Sequence, residues 1–232
     1  MKNIMLSILL LTSLNLAAQE YYWTAYNFDV KAEDEEIVAK LTNDYFSSPN
    51  SKAEGVSVFL FENHFIDNSN NSSHAIVFTG TLEAMGKQYS QGDNLSWDLY
   101  ISKMNRYIES HSSSAGKSLV SIGEPGTHPV QNIYILRVDN ESKFASAWET
   151  YNRKWAPNDR RLTLGKFSLG RSSSGETHYV LNGLDSFEDA FNPGKYRESN
   201  PPAEAAWRKF VEEFDENAKM VRTMTRVMLG KW

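Results

Sequence analysis

Two histidines open similar segments of this chain, and their surroundings suit acid–base chemistry. His74 begins the run HAIVFT and His178 begins HYVLNG, and both runs have the residue types of a strand. A neutral imidazole there could act as a general base, with Asn182 or Arg137 stabilising developing negative charge. Histidines that open strands also serve as turn or edge residues, so both interpretations stay open.

Arg137 lies midway in the otherwise apolar run NIYILRV. If this strand is buried, the guanidinium needs a partner. A bound ligand would satisfy that need, and so would a carboxylate such as Asp29 from the matching strand of the first half. The sequence does not decide between a functional and a structural role.

Several other kinds of site are excluded by composition or by missing motifs. The chain has no cysteine, which excludes disulfides, thiolate catalysis and cysteine-ligated metal centres. Glycine-rich phosphate loops and the HExxH and GxSxG patterns are absent, and the run DNSNN at 67–71 lacks the glycine and distal glutamate of a calcium loop. We expect no metal and no cofactor. A net charge of −5 and a pI near 5.6 argue against nucleic acid as a partner.

The elements that must position these residues occur in the same order twice. In the first half, helical patterns at 33–46, 81–89 and 94–110 alternate with strand-like segments at 21–30, 55–65, 74–79 and 117–122. In the second half, helices are predicted at 141–155, 187–191 and 203–220, and strands at 132–138, 162–171, 177–182 and 222–229. Each half therefore has the order β-α-β-β-α-β of a ferredoxin-like unit.

Single residues also support a tandem repeat, because similar residues recur at a nearly constant offset. Five pairs are separated by 104 to 110 residues: Val30 and Val138, Pro49 and Pro157, His74 and His178, Tyr89 and Tyr196, and Trp97 and Trp207. We expect one repeat at 19–125 and a second at 126–232. One unit alone would expose a large apolar sheet face, so we expect the two sheets to pack on each other.

This order of elements resembles the dimeric α+β barrel superfamily, in the form in which one chain supplies both halves. The resemblance covers nearly the whole chain after residue 18 and rests on element order. It implies an α+β fold, a pseudo-dimeric barrel of two ferredoxin-like units. The superfamily includes antibiotic-biosynthesis-type monooxygenases, EthD-like, NIPSNAP-like and stress-response barrel proteins, and the heme-binding chlorite dismutase and dye-decolorising peroxidase groups. No motif of a single family is present, so no functional residue is carried over.

Alternation along the strands separates side chains that face the other sheet from those under the helices. We expect the face of Trp23 and Asn27 and the face of Arg137 to point inward, and we place the faces that begin with His74 and His178 inward too. The space between the sheets would then be apolar with a few polar points, as small-molecule pockets are. The candidate ligand-binding residues are Trp23, Asn27, His74, Arg137, His178 and Asn182, and of these His74, Arg137 and His178 are also candidate catalytic residues.

Four functional hypotheses follow. The first is an exported protein that binds a small, partly apolar molecule between its sheets. The second is an enzyme similar to the cofactor-independent monooxygenases or isomerases of the superfamily, with His178 as the base. The third is a heme protein with His74 or His178 as axial ligand, and the fourth is an interaction protein with a filled barrel. We expect a monomeric pseudo-dimer or a weak homo-oligomer.

The amino terminus has the parts of a secretory signal peptide. Lys2 is basic, the segment 4–14 is apolar but too short to span a bilayer, and Leu16-Ala17-Ala18 precedes polar residues. We expect cleavage after Ala18, and no lipid anchor because no cysteine follows. The mature protein is expected to be bacterial, exported to the periplasm or secreted, and without membrane contact once the signal is removed.

Overall fold

The computed structural model describes residues 20–66, 72–90, 92, 94–214 and 217–232. The predicted signal peptide with Ala18 and the turn at 67–71 lie outside the described residues. The strands are β1 (Tyr22–Val30), β2 (Ser57–His64), β3 (His74–Gly80), β4 (Ile108–Ile122), β5 (Val130–Val138), β6 (Leu162–Leu169), β7 (His178–Leu184) and β8 (Ala218–Lys231). The helices are α1 (Glu35–Phe46), α2 (Leu82–Tyr89), α3 (Leu95–Met104), α4 (Glu141–Trp155), α5 (Phe187–Phe191), α6 (Lys195–Glu198) and α7 (Pro201–Phe214).

The strands form one closed antiparallel barrel in the order β1-β3-β2-β8-β5-β7-β6-β4. Within this ring, β4-β1-β3-β2 and β8-β5-β7-β6 each have the strand order of a ferredoxin-like sheet. The pairs β2–β8 and β6–β4 join the two sheets, so each strand has a neighbour on both sides. The predicted α+β class is confirmed, whereas the boundary between residues 125 and 126 stays a prediction. In the described part of the chain, no helix has both the length and the apolar character needed to cross a membrane.

The long strands β4 and β8 hold the two sheets together. β4 pairs with β1 through residues 108–117 and with β6 through residues 115–122. β8 pairs with β5 through residues 218–227 and with β2 through residues 225–231. Each strand therefore spans the junction between one sheet and the other.

The predicted starts of both long strands are wrong. The preceding helices were expected to extend to residues 110 and 220, whereas α3 ends at Met104 and α7 ends at Phe214. The helical spacing of apolar residues runs on past both ends. Backbone pairing with β1 and β5 determines the strand there, and such context overrides local propensity.

Each sheet packs its helices on its outer face and leaves the other face to the barrel interior. The first helix–sheet core joins Phe28, Val58 and Phe78 to helix residues that include Val38, Phe46, Tyr100 and Met104. The second joins Leu136, Val138 and Leu164 to Phe144, Trp148 and Phe214. Inside the barrel, a smaller cluster contains Phe59, Phe61 and Val77, with Ala25 and Met228 packed against it.

Candidate functional site

A pocket of about 700 Å³ lies between the first sheet and helices α2 and α3. It is on the helix side of the sheet, because many of its lining residues also belong to the first helix–sheet core. The expected location between the two sheets therefore does not match this pocket. Its sheet wall includes Tyr26, Asn27, Phe28, Ile76, Phe78, Ile108, Ser110, Ser112 and Ser113, and its helical wall includes Tyr45, Gln88, Tyr89, Trp97, Tyr100, Ile101, Met104 and Asn105.

The helix α3 forms one wall because its sequence caps it and gives it one apolar stripe. The Asn94 side-chain oxygen accepts hydrogen bonds from the backbone N–H groups of Ser96 at 3.1 Å and Trp97 at 3.2 Å. Such an N-cap satisfies donors that the first turn leaves unpaired. From this start Trp97, Tyr100 and Met104 recur at three- and four-residue spacing and face the pocket.

Three aromatic rings form the deepest part of the helical wall. Tyr45 and Tyr100 are stacked, with ring centroids 4.6 Å apart and an angle of 14° between their planes. The ring of Trp97 lies 5.5 Å from Tyr100 and 5.7 Å from Tyr45. The Tyr100 hydroxyl is 3.2 Å from the Thr42 hydroxyl, and burial raises the pKa of Tyr100 to about 12. This phenol is therefore neutral at physiological pH.

Tyr89, the last residue of α2, belongs to the helical wall and reaches strand β1. Its hydroxyl hydrogen-bonds with the hydroxyls of Thr24 at 2.6 Å and Tyr26 at 2.8 Å. The ring of Tyr89 is partly exposed, but withdrawal of its hydroxyl from water raises its pKa. This phenol also stays protonated.

The described part of the pocket lining is uncharged. Among the described lining residues there is no aspartate, glutamate, lysine, arginine or histidine. The polar groups are amides and hydroxyls, and two amides already have partners: Asn27 donates to the Ser112 hydroxyl at 3.1 Å, and the Gln88 oxygen accepts from the Ala53 backbone N–H at 2.8 Å. A lining of this kind fits an uncharged molecule with an apolar body and a few polar groups.

The prediction that the His74 face points into the barrel is wrong. Ile76 and Phe78 of that face pack against the helices, and the His74 ring stacks on Phe28 at a centroid distance of 6.0 Å. The His74 side chain is 1% exposed, and its Nδ1 lies 2.9 Å from the Ser73 hydroxyl. Burial lowers the pKa of His74, although nearby carboxylates act in the opposite direction. The ring is a buried, neutral core group.

His178 has the equivalent environment in the second half, so its predicted inward position is wrong as well. Its Nδ1 is 2.8 Å from the Thr177 hydroxyl, and its Nε2 is 3.3 Å from a carboxylate oxygen of Glu141 at the start of α4. The Nε2 contact has ion-pair distance but not hydrogen-bond geometry. Burial lowers the pKa of His178 and outweighs the opposing effect of Glu141. Val180, on the same face, packs under the helices.

The other predicted residues lie in separate places. Arg137 is exposed near the end of β5, so the predicted need for a buried partner does not arise. Asn182 accepts a hydrogen bond from Arg160 at 3.3 Å. Trp23 faces the barrel interior as predicted, where its ring lies 5.4 Å from both Phe167 and Tyr179.

Of the six predicted ligand-binding residues, Asn27 is the one found in the described lining of the pocket. The six do not converge on one site. The structure places Tyr45, Tyr89, Trp97 and Tyr100 in the pocket instead. The sequence analysis recognised apolar helical stripes but assigned them to the core, because the same spacing serves a filled core and an open pocket.

The histidines whose side chains the structure describes lie away from the pocket. Four histidines have described side chains (His64, His74, His128 and His178), and none of these lines the pocket. The side chains of His74 and His178 are buried, with 1% and 4% exposure. Within the described residues, no three His, Asp or Glu side chains gather around a point that could hold a metal ion.

Solved structures match nearly the whole chain, whereas no family model and no curated protein matches it. A protein provisionally named a monooxygenase from Lactobacillus acidophilus is 12% identical with a TM-score of 0.62, covering 92% of this chain and 95% of its own. An anthrone oxidase-like protein is 12% identical with a TM-score of 0.60, covering 93% and 94%. A mutant chlorite dismutase from Candidatus Nitrospira defluvii is 13% identical with a TM-score of 0.54, covering 90% and 91%.

At these identities the similarity concerns the fold. The matched structures extend over both halves of the chain, and the barrel contains the ferredoxin-like strand order twice. The chain has the fold of the dimeric α+β barrel superfamily, in the form in which one chain supplies both halves.

Proposed function

We propose that the protein binds an uncharged molecule with a flat aromatic body in the pocket between β1, β4, α2 and α3. The observation that carries this proposal is the pocket of about 700 Å³ with an aromatic, amide and hydroxyl lining. Its volume lies within the roughly 300–1,000 Å³ typical of small-molecule sites. An ionised ligand would leave water without meeting a charged partner in the described lining.

The rings in the pocket suit a flat ligand. Tyr45, Trp97 and Tyr100 present aromatic faces and edges to the same space. Offset or edge-to-face contacts between rings contribute about 0.5–1.5 kcal/mol each beyond the area buried. The Asn105 amide supplies donors and an acceptor, and the Asn94 amide nitrogen supplies further donors, which would orient a ketone or hydroxyl group.

The outer surface beside the pocket is unusually apolar. Leu95 and Leu99 on α3 are 75% and 54% exposed, and Leu82 on α2 is 63% exposed. Apolar side chains around a pocket favour the approach of a molecule with low water solubility. This surface therefore agrees with an aromatic ligand.

The neutral fluorescent probe N-phenyl-1-naphthylamine tests the proposal with a matched pair of variants. Ser113 lies opposite Tyr26 in the β1–β4 ladder, and Thr223 lies opposite Tyr134 in the β5–β8 ladder. Both positions are exposed. Ser113→Trp places an indole in the pocket, whereas Thr223→Trp places one at the equivalent position of the second half.

We expect saturable probe binding to the wild-type protein. Ser113→Trp is expected to weaken it by at least about tenfold, equivalent to about 1.4 kcal/mol, and Thr223→Trp to leave it unchanged. Equal affinity of all three proteins would contradict the proposal, and so would an equal loss in both variants.

The names of two neighbours favour a second candidate, oxidation of the bound molecule by O2. One is provisionally named a monooxygenase and the other is anthrone oxidase-like. Anthrone is an uncharged, flat tricyclic ketone, and its reaction with one O2 gives anthraquinone and one water. In this candidate the pocket residues hold the substrate, and no step is assigned to His178 because it lies outside the pocket.

Anthrone in aerated buffer tests this second candidate. If it holds, the protein forms anthraquinone faster than buffer alone, Ser113→Trp loses the excess rate, and His178→Gln keeps it. A rate of anthraquinone formation equal to that in buffer alone would exclude anthrone oxidation. The binding proposal would then be decided by the probe titration.

A further inference from the structure

The two long strands send very different side chains into the barrel. β4 and β8 lie on opposite sides of the ring. Directly paired residues share a sheet face, so the partners of the inward residues of β1 and β5 also point inward. On β4 these are Ser114 and Gly116, while Ser112, next to a register shift, also borders the aromatic pocket. On β8 they are Arg222, Met224 and Arg226.

Arg226 brings a positive charge into this interior without a carboxylate partner. Its Nε donates to the Gln131 side-chain oxygen at 2.8 Å, and its guanidinium lies 3.8 Å from the centroid of the Phe61 ring. Among the described residues no carboxylate forms an ion pair with it, and its two terminal amino groups make no hydrogen bond. The Arg226 side chain keeps some accessible surface, and its terminal amino groups are not among the fully buried atoms that lack a partner.

A cation in such a place is costly without a counter-charge. The loss of hydration costs several kcal/mol unless hydrogen bonds or an opposite charge replace it. Burial lowers the pKa of Arg226 to about 10, so the group is still protonated at neutral pH. One hydrogen bond and one ring contact leave most of the guanidinium donors unused.

Other polar groups around the same interior also lack partners. Within the described residues, Trp23 Nε1, Asn63 Oδ1 and Thr163 Oγ1 are buried without a hydrogen bond. Asn63 is paired with Arg226 across the β2–β8 ladder and is 7% exposed, and Thr163 is 3% exposed. Buried polar atoms without partners are rare, and a bound ion or water commonly satisfies them.

The Tyr179 hydroxyl lies in the same space. Burial raises its pKa, and the charges of Arg226 and Arg161 act in the opposite direction. The Arg161 guanidinium already has a hydrogen-bond partner, because it donates to the Gly123 carbonyl. Arg226 therefore keeps open donors in this space, and the Trp23 indole and Tyr179 phenol are neutral donors near it.

We infer that the barrel interior holds a second binding site, which takes a small oxyanion paired with Arg226. A guanidinium with two open amino groups suits the two oxygens of a carboxylate or an inorganic oxyanion, which it binds in a forked geometry. The site lies on the opposite face of the sheet from the aromatic pocket and does not depend on the function proposed for that pocket.

Anion-dependent thermal unfolding tests this site. Formate, acetate and phosphate are compared with chloride at equal ionic strength, on the wild-type protein, Arg226→Gln and Arg137→Gln. Arg137 is the control because it is an exposed cation on β5. We expect a saturable rise of Tm with an oxyanion in the wild-type and Arg137→Gln proteins and its loss in Arg226→Gln. The comparison of formate and acetate with phosphate distinguishes a carboxylate site from an inorganic oxyanion site.

Two further measurements keep the test decisive. Arg226→Lys keeps the charge but loses the fork, so we expect weaker oxyanion binding by about tenfold. Probe binding to the aromatic pocket should be unchanged in Arg226→Gln, which separates failure here from failure of the proposed function. A wild-type response to oxyanions no larger than the response to chloride would overturn the inference, and so would an equal response in Arg226→Gln.

Discussion

The helical layers of the two halves differ in how completely they are filled. In the second half, rings on α4 and α7 form a continuous series of contacts with centroids 5.1 to 5.9 Å apart, through Phe144, Tyr151, Trp207, Phe210 and Phe214. In the first half, Tyr45, Trp97 and Tyr100 contact one another similarly, but the space beside them stays open as the pocket of about 700 Å³. Equivalent positions thus fill the helical layer in one half and line an open pocket in the other.

The lengths of the helices help to explain this difference. α7 has 14 residues, whereas its counterpart α3 has 10. The second half also has the short helix α6, from which Arg197 stacks on the Trp207 ring at 4.5 Å. More helical surface therefore covers the second sheet, and the first sheet keeps an uncovered region between α2 and α3.

Truncation of equivalent helix residues should give the largest difference between the halves. Phe214 is 3% exposed and its ring contacts Phe144 and Phe210, so Phe214→Ala should lower the free energy of unfolding by about 3–5 kcal/mol. Met104, at the equivalent position of α3, already borders the pocket, so Met104→Ala should cost only about 2 kcal/mol. Urea unfolding of both variants measures this. A larger loss for Met104→Ala would show that the first layer is not the looser one.

The buried histidines should instead affect the pH dependence of stability in the same way in both halves. Burial lowers the pKa of both His74 and His178. In the acidic range the unfolded chain then binds more protons than the folded one, so stability is complete above roughly pH 6.5 and falls as the pH drops through that value.

We expect the free energy of unfolding to decrease between about pH 7 and pH 5. His74→Gln and His178→Gln should each reduce this slope. Denaturant titrations across the pH range measure the slopes. A slope unchanged by both core substitutions would show that neither imidazole is kept neutral by the fold.

Alanine substitutions of the residues that cap the equivalent helices should have the smallest effect on stability. They also distinguish a loss of stability from a loss of probe binding. Asn94 caps α3, and Asn200 accepts a weaker hydrogen bond from the Ala203 backbone N–H at 3.4 Å in α7. Each substitution by alanine should cost about 1 kcal/mol or less. Only Asn94→Ala should also weaken probe binding, because Asn94 lines the pocket. Equal weakening in both variants would indicate a general loss of order.

The order of the elements could be predicted from the sequence. For some strands, however, the sequence did not show which side chains face the barrel interior and which pack under the helices. Alternation in β1 and β5 places Trp23 inward and Leu136 under the helices, as observed. In β3 and β7 apolar side chains occur on both faces. The pattern therefore does not decide which face points inward, and a one-residue shift moves His74 and His178 to the other face. Periodicity also could not reveal the pocket, because Tyr100 and Phe210 have the same spacing in an open and a filled layer.

The most direct test of the proposed pocket is to identify the residues that contact a bound neutral aromatic molecule. A naphthyl azide can be bound to the wild-type protein, activated by light and located by mass spectrometry of the peptides. The account predicts labels on the pocket-lining residues of α3 and β4, such as Trp97, Tyr100 and Ser113, and their loss in the Ser113→Trp protein. Labels concentrated on α7 and β8, or an unchanged pattern in Ser113→Trp, would contradict it.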